Sequence, residues 1–516
     1  MYGRVVAVAA PPSPASGSNP SSRRLALMIA TCCASIAVIM GLTAGAIAVV
    51  PDIGRDLGAD QSALQWATDA FPLVVAAFLL PAGALLDRWG RRLGMLVGLI
   101  ILTLAVLWTG VAGSIEAVIV SRCVAGAGAA LLFPGTLATI TAAIPPERRP
   151  VAVGLWAISV IIGAVAGLLI FSVGVQYFSW QVPFLVFAGV SAVLFVLTFF
   201  GVPETKAEHA VSLDPVGALA SIGAVGCLTF AVTEGPTHGW LAALTVGPAL
   251  AGTVLLIAFV RWELRHPSPL LDVRLLADRT FGTASLALFV MFFAHFALFF
   301  LSIQYQGYVL GYSTLKNSLG VVPPVLGYAL TPLGPWLARR IGRRRLIVGA
   351  MALTSIGALV AILMAVAWPQ SYWTFAVGAA LMWGGIGLAM APPTEMIIEA
   401  VPPSKHGVAS AVNDLARELS AAVGIAVAGS AFNTAYRASV GDHLRDLPDG
   451  VADTALRSPA RALEALGGGP GAGRGIEIVR DAVVAGWMWS FAIVSAVVLA
   501  GGVVIAIRAP RADGGA

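Results

Sequence analysis

Apolar residues in this chain come in long unbroken runs, neither striped at three- and four-residue spacing like a surface helix nor alternating like a half-buried strand. Such runs read as transmembrane helices, since about 20 helical residues are needed to cross a hydrocarbon layer roughly 30 Å thick. Fourteen spans are predicted, at 25–50, 62–86, 93–113, 115–140, 150–174, 180–201, 212–235, 241–262, 281–310, 314–338, 346–367, 371–398, 406–433 and 482–508. They group as six, two and six, because a charged stretch with Arg261, Arg265, Arg274 and Arg279 separates the eighth from the ninth. The 314–338 span carries Pro323, Pro324, Pro332 and Pro335 and is expected to be irregular, because an internal proline removes a helix hydrogen bond and clashes with the preceding turn.

The segments between and around these runs complete the plan. Residues 1–22, rich in Pro, Ser and Gly, read as a disordered tail; 23–201 as a first six-helix half; 202–280 as two extra helices and a linker; 281–508 as a second half; and 509–516 as a short tail. The two extra helices are expected to sit beside the core and take no part in the chemistry. Before the last span, 434–481 mixes Asp, Arg, Pro and a glycine-rich stretch from Gly467 to Gly475, and reads as a long flexible loop. A short helix or hairpin over Val451 to Leu466 is the alternative. Arg23 and Arg24 ahead of the first run suggest a secretory signal, but that run is too long and many spans follow.

Composition agrees with the pattern: 58% of residues are hydrophobic and 11% charged, against roughly 25% charged in an ordinary soluble domain. The net charge of +5 would point to nucleic acid in a soluble protein. Here the basic residues gather at span ends and report orientation instead. With the first residue in the cytoplasm, 21 of the 31 basic residues, Arg4, Lys206 and Arg511 among them, lie on the cytoplasmic side, and 8, including Arg445, lie outside. Arg122 and Arg417 fall within spans. Both termini are therefore expected in the cytoplasm. Cys32, Cys33, Cys123 and Cys227 all lie in apolar runs without metal-ligand spacing and read as small hydrophobes. Only three of the basic residues are lysines, and Ala and Gly abound, which points to a GC-rich bacterial genome.

The most specific motif joins the second and third spans: G-A-L-L-D-R-W-G-R-R, with Gly83, Asp87, Arg88, Gly90, Arg91 and Arg92. Glycines let two helix ends approach, Asp87 can serve a helix N-terminus, and the arginines face lipid phosphate. It closely resembles the signature loop of the major facilitator superfamily, and A-R-R-I-G-R-R-R, from Ala338 to Arg345, resembles its degenerate second copy. Arg122, Gly126 and Gly128 in S-R-C-V-A-G-A-G-A-A, Trp66 and Asp69 in L-Q-W-A-T-D-A-F, and the stretch from Ala391 to Arg437 are similar to the fourteen-helix drug:proton antiporters that export quaternary ammonium compounds. Two departures stand out. Leu42 and Ile47 occupy the first-span positions where such exporters carry Asp and Asn, and Leu168, Phe171 and Ser172 replace the Pro and two Gly of the fifth-span motif, although the packing glycines Gly163 and Gly167 remain.

The resemblance implies an all-α major facilitator fold of two six-helix halves and two added helices. It implies a bacterial inner-membrane monomer that exports hydrophobic or cationic small molecules in exchange for protons by alternating access. The proton gradient would be its energy source, with no cofactor. Two other readings stand beside this one: an uncoupled or lipid-handling permease, made plausible by the missing first-span acid, and a non-transporting sensor or scaffold. An ionised group in a bilayer costs about 2.5–3.5 kcal/mol on insertion scales, so each needs a reason. Asp69 and Arg122 read as a proton-coupling pair or as a static ion pair. Asp414 and Glu418 share a helix face with Asn413 and Arg417 close by, and read as a proton or cation site or as a self-neutralised cluster. Gln304 and Glu395 are further cavity candidates, with Tyr305 and Gln306. His295, amid phenylalanines, reads as a neutral packing residue before a proton carrier. Trp66, Trp156, Trp383, Phe292 and Phe293 could offer cation-π surfaces, with packing the simpler role for each. No phosphate-binding loop, nucleophile elbow or metal cluster is present, which argues against an enzyme or an ATP-driven pump.

Overall fold

The computed structural model describes residues 22–509 except 60, 146, 206–213, 268, 403–404, 445–446, 448–449 and 468–471. The predicted tails, Arg4, Lys206, Arg445, Arg511 and part of the glycine-rich stretch therefore lie outside the described residues. The first half comprises α1 (Ser22–Leu57), α2 (Gln61–Trp89), α3 (Arg91–Gly110), α4 (Ile115–Ala143), α5 (Arg149–Tyr177) and α6 (Gln181–Gly201). The added pair is α7 (Pro215–His238) and α8 (Ala243–Glu263). Asp214 starts α7 by accepting from Gly217 N–H at 2.9 Å, with Pro215 in the first helical position where a missing N–H costs nothing.

The second half opens with α9 (Arg279–Gln304), capped by Asp278, which accepts from Thr280 and Phe281 N–H at 2.9 Å. A π-helical turn, Tyr305–Val309, follows. The proline-rich span is broken as expected, into α10 (Thr314–Val325), a 3-10 turn (Leu326–Leu330) and α11 (Leu333–Ile341). Then come α12 (Arg343–Ala367), α13 (Tyr372–Leu388), α14 (Ala391–Glu399), α15 (His406–Gly441), α16 (Ala452–Arg457), α17 (Pro459–Leu466) and α18 (Ala472–Arg508). Among the described residues, 13 continuous stretches are long and apolar enough to cross a membrane; the proline-broken segment is not one of them. The segment read first as a flexible loop is mostly helical: α15 runs on to Gly441, α16 and α17 occupy the alternative position, and α18 begins ten residues early. Tyr436 Oη donates to Ala455 C=O at 2.8 Å, which ties this cap to α15.

The halves repeat one packing plan. α1 lies on α5, α3 on α4 and α6, and α2 on α4; likewise α9 lies on α15, α12 on α13 and α18, and the 3-10 turn on α13. Two seams join the halves, α2 and α4 against α15, and α5 against α10 and α14. α7 lies over the first seam, packed on both α2 and α15, while α8 touches mainly α7 and leaves Leu250 and Val254 outward. Such apolar outer surface is what lipid, not water, covers.

Candidate functional site

At the arginine-rich face the halves are locked by the signature loop. Gly90, at φ 109°, takes a left-handed conformation that ends α2 and starts α3 at once. Arg91 N–H donates to Thr205 C=O at 3.0 Å and Arg92 N–H to Glu204 at 3.2 Å, so the loop is braced on the end of α6. Arg88 is exposed. Asp87 points the other way. Its carboxylate, 1% exposed, accepts from Arg91 at 3.1 Å and from the N–H groups of Gly407 and Val408 at 3.0 and 3.2 Å. It thereby caps α15 from the opposite half, where the unsatisfied N–H groups and helix dipole favour an anion. Gly83 makes this approach possible: a Cβ there would stand 2.7 Å from Gly407 O. In the second copy, Arg343 instead binds Glu399 at 2.6 and 3.0 Å.

Beyond this lock lies a cavity of about 410 Å³ between the halves. Its walls are Met40, Thr43, Ala44 and Ile47 of α1, Gln65, Thr68, Asp69, Pro72 and Leu73 of α2, Val160 and Ala164 of α5, Thr229 and Thr233 of α7, His295, Phe296, Phe299 and Phe300 of α9, and Glu418 to Asn433 along α15. Asp69 and Glu418 thus face one space from opposite halves. Most of the wall is aliphatic or aromatic with a few polar groups, the usual make-up of a small-molecule site.

Among the described residues no direct ion-pair contact joins Asp69 to Arg122, although each feels the other's charge. Arg122 donates to Ala67 C=O at 3.2 Å and Leu42 C=O at 3.3 Å, and its guanidinium lies 4.7 Å from the centre of the Phe71 ring. The reason is helical phase. Ala67 and Phe71, four apart, face α4, whereas Asp69 is displaced by about 200° at 100° per residue and faces the cavity. Asp69 is bonded to Gln65 one turn away and feels the charges of Glu234 and Arg122. Glu234 comes from α7, the added helix that packs on α2 and α15 beside the core. α7 supplies two wall threonines and a buried carboxylate. The i, i+4 set of Thr229 and Thr233 followed by Glu234 was the sequence signal for this.

On α15 the four candidates separate. Asn413 and Asp414 are wholly buried and Arg417 is 3% exposed; only Glu418 reaches the cavity. Asp414 accepts from Asn413 at 3.1 Å and Arg417 at 3.3 Å, and Asn413 accepts from Thr394 at 2.9 Å. Arg417 extends into a cage of rings, 4.6 Å from Phe292, 5.1 Å from Trp156 and 5.9 Å from Phe133. Two of those rings belong to the first half, so Arg417 is a second contact across the seam. Glu395 and Gln304 do not line the cavity. Glu395 sits 3.9 Å from Arg343 near the arginine-rich face, and Gln304 lies one turn beyond Phe300, the last α9 residue of the wall. Tyr305 donates to Pro369 C=O at 2.8 Å, and Gln306 is buried. The four span glycines lie at close helix contacts: Gly126 against Phe71 C=O, Gly128 against Gly98, Gly163 against Ala37 and Gly167 against Gly41. Ser172, in a motif glycine's place, meets Ser318 of α10 at 2.9 Å.

Two related helical halves in a membrane, locked at one face beside a largely apolar cavity, define a transporter and not an enzyme. The chain belongs to the Major Facilitator Superfamily, whose family profile matches residues 27–425. It is 31% identical over 405 residues to the multidrug resistance protein Stp of Mycobacterium tuberculosis, covering 78% of this chain and 75% of Stp. It is 31% identical over 441 residues to the puromycin resistance protein pur8 of Streptomyces alboniger, covering 84% and 87% of the two. The solved structure of the human organic anion transporter MFSD10 has the same fold, with a TM-score of 0.59 at 15% identity over 94% of this chain and all of that one.

Proposed function

We propose that the protein is a proton-coupled exporter of amphipathic, cationic small molecules in a bacterial inner membrane, acting as a monomer with both termini in the cytoplasm. The observation that carries this reading is the cavity, where Asp69 and Glu418 from opposite halves face a space otherwise walled by aliphatic and phenyl groups. A lipophilic cation gains both apolar contact and a counter-charge there, and a carboxylate that binds either a proton or the cation makes the two compete. The arginine-rich face is read as cytoplasmic from the positive-inside rule, so the Asp87 lock shuts the inner end. That relatives such as Stp and pur8 are named for drug resistance supports an outward direction of transport.

A second reading, transport without protons, is favoured by one observation: at Leu42, where related exporters carry an acid, Arg122 is bound to a backbone carbonyl instead. Proteoliposomes loaded with a pH-sensitive dye separate the two. Addition of a quaternary ammonium substrate should release protons in the coupled case, and substrate flux with no proton movement would establish the uncoupled one. Failure to move any of a panel of dyes, biocides and antibiotics, in proteoliposomes or in a pump-deleted host, would reject export of such compounds.

A further inference from the structure

His295 is the one cavity residue whose two ring nitrogens have separate surroundings. Its Nδ1 is 2.6 Å from Tyr328 Oη and 3.3 Å from Trp383 Nε1. An indole N–H can only donate, so Nδ1 must present a lone pair, and the ring's proton resides on Nε2. Tyr328 Oη then also donates to Nδ1. Trp383 and Tyr328 are themselves buried and packed on each other, with ring centres 6.4 Å apart, so the arrangement has no slack. His295 is 6% exposed and lines the cavity; with Nδ1 held inside the protein, the Nε2–H is what the ring offers to a guest. Around it the wall is apolar: the rings of Phe296, Phe292 and Phe299 stand 4.9, 6.0 and 6.4 Å from it.

We propose that His295 is a fixed hydrogen-bond donor that gives the cavity a preference for cations carrying an ester, carbonyl or ether oxygen over purely hydrocarbon cations of similar length. The proposal rests on the cavity being the substrate site, as set out above. A neutral donor in an aromatic wall rewards an acceptor held away from water, and a guest without one leaves that N–H unpaired. Asp69 on the opposite half meets the positive end, so the preferred guest has its charge and its oxygen at separate points.

The test uses two trimethylammonium amphiphiles of nearly equal length, lauroylcholine, which has an ester, and hexadecyltrimethylammonium, which has none. Binding of each to purified full-length protein is followed by tryptophan fluorescence, and uptake by proteoliposomes, for the parent and His295→Phe. Loss of one neutral hydrogen bond should weaken lauroylcholine by about three- to tenfold and leave hexadecyltrimethylammonium within about twofold. Trp383→Phe, which unpins the ring, should move the ratio the same way by less. Where His295→Phe does not fold, His295→Gln is read instead: it keeps an N–H donor and should hold the parental ratio within about twofold. Equal weakening of both cations, or no change in either, overturns the donor role and leaves the cavity reading standing. Binding of neither cation by the parent overturns both.

Discussion

Replacing Asp87 by asparagine keeps the side chain's shape and removes its charge. Of its three donors, Arg91 belongs to the same half and stays beside it in any state, whereas the Gly407 and Val408 N–H groups belong to α15 and are met only when the halves close at this face. Hydrogen bonds to a charged group contribute about 1.5–3 kcal/mol each, so the two give about 3–6 kcal/mol before the cost of burying the carboxylate. Setting a few kcal/mol of that burial against them leaves a bias of about 2 kcal/mol toward the closed face, or roughly 30-fold in the ratio of states. Spin labels at Arg148→Cys and Lys405→Cys, exposed positions on opposite sides of this face, report the separation in a background with the four native cysteines replaced. Asp87→Asn should move the distance distribution toward the longer population and slow transport, with insertion and folded yield retained. Equal distributions in parent and variant, at equal yield, would refute the idea that this carboxylate holds the halves together.

Three further outcomes are expected. Gly83→Val should push the same labels apart by steric means, since even a Cβ would stand 2.7 Å from both Gly407 O and Ala411 Cβ, and the effect should persist in Asp87→Asn. Asp69→Asn should reduce transport of cations at least about tenfold without lowering the unfolding temperature, whereas Arg122→Ala should lower it by removing a wholly buried side chain stacked on Phe71; a rescue of stability in the double variant would restore the ion pair that the structure lacks. Arg417→Lys should not preserve transport, because a lysine cannot lie flat among Phe292, Trp156 and Phe133; turnover near the parental rate would mean that charge alone suffices there.

Span positions were readable in the sequence because bilayer crossing demands long apolar runs, and even the break around Pro323 to Pro335 follows from proline's missing donor. The signature loop was readable for a similar reason: an aspartate with spaced glycines has few uses at a helix end. What remained hidden depends on rotation about helix axes. Asp69 and Arg122 match in depth but face different neighbours, and nothing in a one-dimensional string of apolar residues says which side of α2 looks toward α4. Depth and cover hide the others: Gln304 lies one turn past Phe300, where the α9 wall ends, and Asp414 lies on the cavity acid's helix face but is covered by Asn413 and Arg417. The helices α16 and α17 were masked by the polar, glycine-containing composition of the segment that holds them. The contribution of α7 was missed because its threonines serve equally well in a plain lipid-facing helix.

The α2–α15 seam is curtained by α7, and the turn after α7 is pinned to α15 where Trp240 Nε1 donates to Ser430 at 3.2 Å. Among the described residues no added helix packs on the α5–α10 seam, which is bridged by the hydroxyls of Ser172 and Ser318. A cleft screened along one flank would exchange with the bilayer only along the other. An amphiphile already dissolved in a leaflet meets a wall of two helices on one approach and a pair of small, readily parted side chains on the other. The added helices would then act as a shutter, turning a cleft with two lateral doors into one with a single door, and the serine in a glycine's place would be its latch.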